Sequence, residues 1–414
     1  MKMGKWLTRT VLVLSLVSLL NDMAGEMLYP VIPLYLASIG YGAVWVGLMD
    51  GLAEAISGLT RGWFGEWSDN TGRRLPFIKI GYSFSTIAKP ALIFIASPIW
   101  VVFTRMIDRF GKGIRTGARD AMLASEADVK VRGKVFGFHR AMDTAGAFLG
   151  PIVALIWFAL HPATEYRTLF YIAFLPGLVS LAVLFLLKEK KPVAQKGIPG
   201  SPLRAFSYWR KAGNDYKALL KIITMFTLFN SSDMFILLKV NELFPDGHTF
   251  FNDCHVSSGM MVIGFYIFYN FVYALFSFPA GHFSDRIGPK KTMIIGYFFF
   301  ALAYGGFAFI GKNDAGMNMM LLTFIYITYG LYSAFTDGIS KSWMSQLCGK
   351  EDKGQALGLL SAFMSLATLV ASVSAGLIWK FIDPVYVFIL PSCIAVITII
   401  CLTFVMKDPK HSHP

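Results

Sequence analysis

Roughly twelve stretches of about 20 predominantly apolar residues run through this chain, and each is long enough to cross a bilayer as a helix. They lie near 8–37, 43–63, 76–96, 98–119, 135–160, 166–187, 218–241, 256–281, 292–311, 318–340, 355–379 and 385–406. The composition agrees: 55% of the residues are hydrophobic and only 15% are charged, far from the balance of a soluble domain. The fourth and seventh stretches carry several charges. The first is too long for a cleaved signal segment, and further spans follow it. The spacing predicts an all-α, multi-pass membrane protein.

A net charge of +13 raises the question of nucleic acid, and the placement of the charge answers it. Lys and Arg collect on alternate loops: Lys2, Lys5 and Arg9, then Arg73 and Arg74, then Lys130, Arg132 and Lys134. A central run from Lys188 to Lys217 adds more, followed by Arg286, Lys290 and Lys291, then Lys350 and Lys353, then Lys407 and Lys410. The opposite loops are short and poor in cations, apart from Arg167, Lys312 and Lys380. This is a positive-inside pattern that places both termini in the cytoplasm. The expected partners are the bilayer, with its anionic headgroups, and a small-molecule substrate, not nucleic acid. Cys254, Cys348, Cys393 and Cys401 form no CxxC pair, so no disulfide framework is expected.

The chain repeats itself. Gly65-Glu-Trp-Ser68-Asp69-Asn-Thr-Gly72-Arg73-Arg74 recurs 216 residues later as Gly281-His-Phe-Ser284-Asp285-Arg286-Ile-Gly288-Pro-Lys290-Lys291. Residues 115–151 also align with 336–372 without gaps, pairing Gly117 with Gly338, Gly133 with Gly354 and Gly137 with Gly358. Parallel duplication about an axis along the membrane normal is one of the transporter architectures. The division expected is a six-helix bundle over 1–187, a cytoplasmic linker over 188–217 and a second six-helix bundle over 218–414.

The doubled turn resembles the hallmark loop of the major facilitator superfamily, and the resemblance covers almost the whole chain. It implies two six-helix bundles related by a pseudo-two-fold axis, rocking about a central cavity between inward- and outward-open states. It also implies that Asp69, Arg73, Arg74, Asp285, Arg286 and Lys290 make the gating contacts. Gly137, Gly146 and Gly150-Pro151 resemble the superfamily's antiporter signature, with Ala154-Leu155 where a Gly pair is usual. Small residues at this spacing also serve plain close packing. Arg105 matches the arginine of a fourth-helix motif of proton-coupled exporters, with Asp108 in place of Gln and Arg109 in place of Gly. The run from Asp108 to Asp120 resembles a bacterial subgroup to which no substrate is assigned.

Ionisable residues within a membrane are costly and mark functional candidates. Ser15, Ser18, Asp22, Glu26 and Tyr29 share one face of the first span, ahead of Pro33. Asp22 and Glu26 read as like-charged neighbours able to carry a proton; the alternative is that Asp22 pairs with a base on another helix. Arg105, Asp108 and Lys112 share a face of the fourth span. His139, Arg140 and Asp143 stand where the second half has Leu360, Ser361 and Met364. The scaffold therefore does not require those charges, and they read as coupling or substrate groups, or as a local ion pair. Asp233 joins this set.

In the second half Asn230 and Asp233 fall in the seventh span, and Asp337 precedes Lys341 by one turn as a salt bridge or cytoplasmic gate. Tyr266, Tyr269, Asn270 and Tyr273 share a face of the eighth span, and Tyr326 and Tyr329 one of the tenth. With Tyr29 and Asn230, these are the expected cavity-lining residues for an amphipathic ligand. Asp246, His248, Asp253, Cys254 and His255 cluster in one loop but match no standard metal spacing, so no metal site is assigned. No P-loop or Rossmann fingerprint is visible. The reading is a monomeric, non-enzymatic transporter of a bacterial inner membrane, without a cofactor and driven by a proton gradient. Its cargo reads as a small amphipathic compound for export; import of an organic anion or metal chelate, or lipid flipping or sensing, stay open.

Overall fold

The computed structural model describes residues 7–126, 132–161, 166–188, 204–249, 255–311, 315–349 and 352–406. Helices dominate. In the first half they are α1 (Arg9–Leu28), α2 (Val31–Ser38), α3 (Ala43–Thr71), α4 (Leu75–Ala91), α5 (Pro98–Ser125), α6 (Arg132–Leu160) and α7 (Tyr166–Phe185). Next come α8 (Arg204–Lys211), α9 (Asn214–Thr227), α10 (Met234–Leu243) and a two-strand ribbon, β1 (His248–Thr249) with β2 (His255–Val256). Then follow α11 (Ser258–Ile287), α12 (Pro289–Phe309), α13 (Ala315–Gln346), α14 (Lys353–Phe381) and α15 (Pro384–Val405). Every predicted span is helical, and α8 is an additional short helix in the stretch read as a linker.

Among the described residues, eight helical spans are long and apolar enough to cross a membrane. The second, third, fourth and seventh predicted spans miss that standard. α3 and α5 carry too much charge, α4 has only 17 residues, and the seventh is split into α9 and α10. Large apolar side chains such as Phe278 and Phe404 are more than four-fifths exposed, as a hydrocarbon surround requires.

Two predicted spans are broken. The first bends at Tyr29-Pro30, where proline removes a rung of the backbone ladder. The seventh unwinds over Leu228-Phe229-Asn230-Ser231-Ser232-Asp233. No proline is present there; short polar side chains compete for the backbone instead, and Ser232 Oγ accepts from Met234 N at 3.2 Å.

The chain divides into two compact units, Met1–Tyr41 with Leu52–Arg204, and Gly42–Gly51 with Ala205–Pro414. In the first, Val11, Leu14 and Val17 of α1 meet Ile78 and Tyr82 of α4 and Ala118 and Leu123 of α5. Helices α4 and α5 touch at Gly81 and Gly111: a Cβ on Gly81 would stand 2.6 Å from the Gly111 carbonyl oxygen. In the second unit, aromatic rings of α9, α11, α12 and α13 fill the centre, with Phe300 stacked on Tyr304 at 4.0 Å and Phe226 edge-on to Phe300 at 4.8 Å.

The doubled turn is tighter than its sequence signature. α3 continues to Thr71 and α11 to Ile287, so each reversal is confined to the residues around Gly72 (φ 63°) and Gly288 (φ 90°). Only glycine adopts that backbone without strain.

Candidate functional site

Helix α5 organises the first unit's polar centre. Arg105, Asp108, Lys112, Arg115 and Arg119 recur every three or four residues, with Arg109 beside Asp108, so they stack along one side of it. Each finds a neighbour on another helix or on its own. Arg105 Nη1 donates to Asp108 Oδ2 at 3.3 Å, and Lys89 Nζ of α4 stands 3.8 Å from Asp108 Oδ1. Arg109 Nε lies 3.5 Å from Glu54 Oε1 of α3. Arg115 donates to Ser85 Oγ at 2.5 Å and lies over the Tyr82 ring. Arg119 reaches α1 through Ser18 Oγ at 2.9 Å and pairs with Asp120 at 3.0 Å.

Helices α1 and α6 supply the acids and the imidazole. His139 is buried; its Nδ1 lies 3.3 Å from Ser15 Oγ and its Nε2 3.6 Å from Asp143 Oδ1. Asp22 senses Asp143, Lys112, Arg115 and Arg119. Asp143 of α6 is a carboxylate whose charge bears on Asp22, and Glu26 lies within the field of Lys112. A correction concerns Arg140. Its side chain is exposed and makes no ion pair among the described residues, so the partner of Asp143 is His139. One residue of helix rotation separates the two side chains by about 100°. Tyr29 lies with its ring 5.6 Å from the Arg105 guanidinium.

Glycines bring α1 and α6 together. A Cβ on Gly150 would stand 2.7 Å from Met27 N, and one on Gly146 would overlap the backbone at Leu19. Gly137, of the same signature, has open space around it. Two of the three glycines therefore serve close approach, the packing alternative left open by their spacing.

In the second unit the α9–α10 break is the organising element. Tyr329 Oη donates to Asp233 Oδ1, Tyr304 Oη donates to Asn230 Oδ1 at 3.3 Å, and Asn230 Nδ2 donates to Tyr332 Oη at 3.3 Å. Tyr269 hydrogen-bonds Ser333 at 2.9 Å and stacks on Tyr329 at 5.1 Å and on Tyr273 at 6.2 Å. Tyr266 is buried beside Tyr269. Asn270 is no free amide handle: its Nδ2 donates to Tyr266 O of its own helix at 2.9 Å. Tyr326 stacks on Phe265, and its hydroxyl has no hydrogen-bond partner among the described residues.

The expected gating residues behave unequally. Arg74 pairs with Asp69 at 3.2 Å and donates to Ala121 O, near the end of α5, at 2.9 Å. Its counterpart Lys290 donates to Thr403 O at 3.0 Å and Met406 O at 2.6 Å, at the end of α15. Cations there meet carbonyls that the helix leaves unpaired. Arg73, Asp285 and Arg286 are exposed and make no ion pair among the described residues. Asp337 and Lys341 are exposed on α13, and Asp337 lies within the field of Tyr297 and Tyr332. Asp246 is exposed, and His248 and His255 sit on paired strands. No metal-binding group occurs there among the described residues; Asp253 and Cys254 lie outside them.

Sequence reasoning missed Lys89, Arg115 and Arg119, and in the second unit Tyr304 and Tyr332. The α5 members were readable from their spacing. Lys89 was not, because it stands alone beside Pro90 in an apolar helix and its partner lies on α5.

The sequence model of the Major Facilitator Superfamily matches residues 14–266 and 249–414. The chain belongs to that family. An uncharacterized MFS-type transporter of Methanocaldococcus jannaschii is 34% identical over 408 residues, covering 96% of this chain and 95% of its relative. The multi-drug resistance efflux pump PmrA of Streptococcus pneumoniae is 23% identical over 289 residues, covering 67% of this chain and 68% of the pump. Among solved structures, the nucleoside transporter NupG superposes with a TM-score of 0.76 at 14% identity, covering 96% of this chain and 98% of its own. A D-xylose–proton symporter gives 0.70 at 18% identity, covering 97% and 98%. At such identities the structures share the fold alone. The protein is a multi-pass membrane transporter of the facilitator type.

Proposed function

We propose that this protein is a proton-coupled secondary transporter that works by alternating access and exports a small amphipathic organic compound. One observation carries the proposal: the buried His139–Asp143 pair, set beside Asp22 and Arg119 within the hydrocarbon region. Buried ionisable groups without a scaffold role are retained for function, and the second half does without them. Two carboxylates under the field of shared cations can exchange a proton for a change in their partners. The distant relatedness to an efflux pump supports outward transport. The tyrosine cluster at the α9–α10 break supports an amphipathic cargo, since rings with hydroxyl and carboxylate handles offer both apolar area and polar contacts. Lysines and arginines on alternate loops support a cytoplasmic membrane with both termini inside.

A second reading, proton-coupled import of an organic anion, is favoured by the cations on α5, which outnumber its acids.

A metabolite screen by thermal shift finds the cargo, because a ligand at 100 times its dissociation constant stabilises a protein by about 2.7 kcal/mol. The full chain is then placed in proteoliposomes with that cargo and an imposed proton gradient. Transport is expected to stop when an uncoupler collapses the gradient. Asp143→Asn is expected to keep binding and lose cargo-driven proton movement. Transport indifferent to the uncoupler, or full proton movement in Asp143→Asn, sinks the coupling mechanism. Sensitivity of a deletion strain to toxic compounds supports export, while loss of growth on one nutrient supports import.

A further inference from the structure

Helix α8 has two distinct faces. Tyr208 and Ala212 are buried and Phe206 and Trp209 half-buried, while Ser207, Arg210 and Lys211 are exposed. Its apolar face is already occupied by protein. Trp209 stacks on Phe363 of α14 with ring centres 5.9 Å apart, and Phe206 lies 5.7 Å from the same ring. Tyr208 stands edge-on to Tyr216 of α9 at 5.4 Å, and Tyr216 Oη donates to Ala356 O of α14 at 2.7 Å. An amphipathic helix that inserts into a membrane keeps its apolar face for the lipid. Helix α8 has none to offer, so what it presents outward is charge.

Two lysines of α9 join that charge. Lys217 and Lys221 are one turn apart, and their ammonium nitrogens stand over the Trp209 ring, 5.8 and 6.0 Å from its centre. Like charges at that spacing repel each other. Arg210, Lys211, Lys217 and Lys221 make no ion pair among the described residues. The acids nearby belong to other faces. Asp215 precedes the lysines by two and six residues, which at about 100° per residue puts it on the other side of α9. Asp352 bears on Tyr208, on the buried side of α8, and is accompanied there by Lys353.

The position of the four cations says which anion meets them. They gather at the start of α9, the half-helix that opens the seventh span, around a tryptophan, a ring enriched at membrane–water interfaces. Basic clusters at that level meet lipid headgroups.

We propose that Arg210, Lys211, Lys217 and Lys221 form a docking site, centred on Trp209, for the phosphate headgroup of an anionic phospholipid. Basic loops elsewhere are drawn to an anionic bilayer in general; here two packed helices hold the cations together. The proposal rests on the chain's place in a membrane, not on its cargo or its coupling, so a failure of either test leaves the other standing.

Native mass spectrometry of the full-length protein in a neutral detergent tests it, with dioleoyl-phosphatidylglycerol and dioleoyl-phosphatidylcholine titrated in equal amounts. The unaltered protein is expected to retain phosphatidylglycerol in preference. Replacing all four cations by Gln is expected to weaken that retention at least about tenfold, since one basic residue near a membrane surface counts for about fivefold. The control variant Lys350→Gln, Lys353→Gln, Lys407→Gln, Lys410→Gln removes as much charge elsewhere and is expected to lose less. Should the first variant fail to fold, Arg210→Gln with Lys211→Gln, both exposed on α8, stands in, with an expected loss of at least about fivefold. Retention without preference, or a loss no greater than in the control, overturns the proposal. So does displacement of the lipid by inorganic phosphate, or tighter binding of a hexaglutamate peptide to the same four residues.

Discussion

Gly150 and Gly137 belong to one sequence signature and sit in opposite surroundings. A methyl group on Gly150 meets the α1 backbone at Met27 N, 2.7 Å away, and backbone cannot swing aside as a side-chain tip can. A methyl group on Gly137 meets nothing within 4 Å. Overpacking typically costs about 1–3 kcal/mol. In a helix interior, replacing an unconstrained glycine by alanine gains about 0.5–1 kcal/mol. Gly150→Ala is therefore expected to lower the melting temperature of the detergent-solubilised protein, and Gly137→Ala to leave it equal or slightly raised. The opposite order would show that the α1–α6 contact is not set at Gly150. The residue scale thus separates packing from chemistry inside a motif whose letters look uniform.

At the scale of elements, the α9–α10 break converts a spanning helix into a site. Its loosened backbone turns Asn230 towards Tyr304 and Tyr332 and Asp233 towards Tyr329. Two tyrosines of α13, one turn apart, give an internal control. Tyr329 donates to a carboxylate, whereas the Tyr326 hydroxyl is buried with no partner among the described residues. Removing a donor from a buried acceptor costs about 1–3 kcal/mol, but deleting an unpaired hydroxyl is near neutral. Tyr329→Phe is expected to destabilise the protein by that order, and Tyr326→Phe to leave its melting temperature unchanged or raised. Equal effects would deny the Asp233 contact its role. The break was not legible in the sequence, because Leu-Phe-Asn-Ser-Ser-Asp contains neither Pro nor Gly and reads as a continuation of the apolar run. The α5 stripe was legible, since its period of three to four residues is the helix period itself. The pairing of Asp143 was not: spacing allowed both His139 and Arg140, and only side-chain direction distinguished them.

For the whole molecule, the duplication supplies an experiment that a single bundle could not. The second half builds its eleventh span with Leu360, Ser361 and Met364 where the first half has His139, Arg140 and Asp143. Both spans are long helices, α6 and α14, so the apolar version is compatible with this architecture. His139 and Asp143 face each other at 3.6 Å, and removing one leaves the other buried without its partner. Breaking a buried pair from one side is strongly destabilising, while replacing both members by apolar residues of similar volume is often neutral or better. The triple variant His139→Leu, Arg140→Ser, Asp143→Met is therefore expected to melt at a higher temperature than Asp143→Met alone. The His139 and Asp143 substitutions should be markedly non-additive, as for residues in direct contact, while that at exposed Arg140 adds little. The same triple variant is expected to abolish cargo-driven proton movement in proteoliposomes. A triple variant less stable than the sum of its parts would show that the first bundle needs these charges to fold. Retained proton movement would show that the asymmetry between the halves lies outside the coupling path.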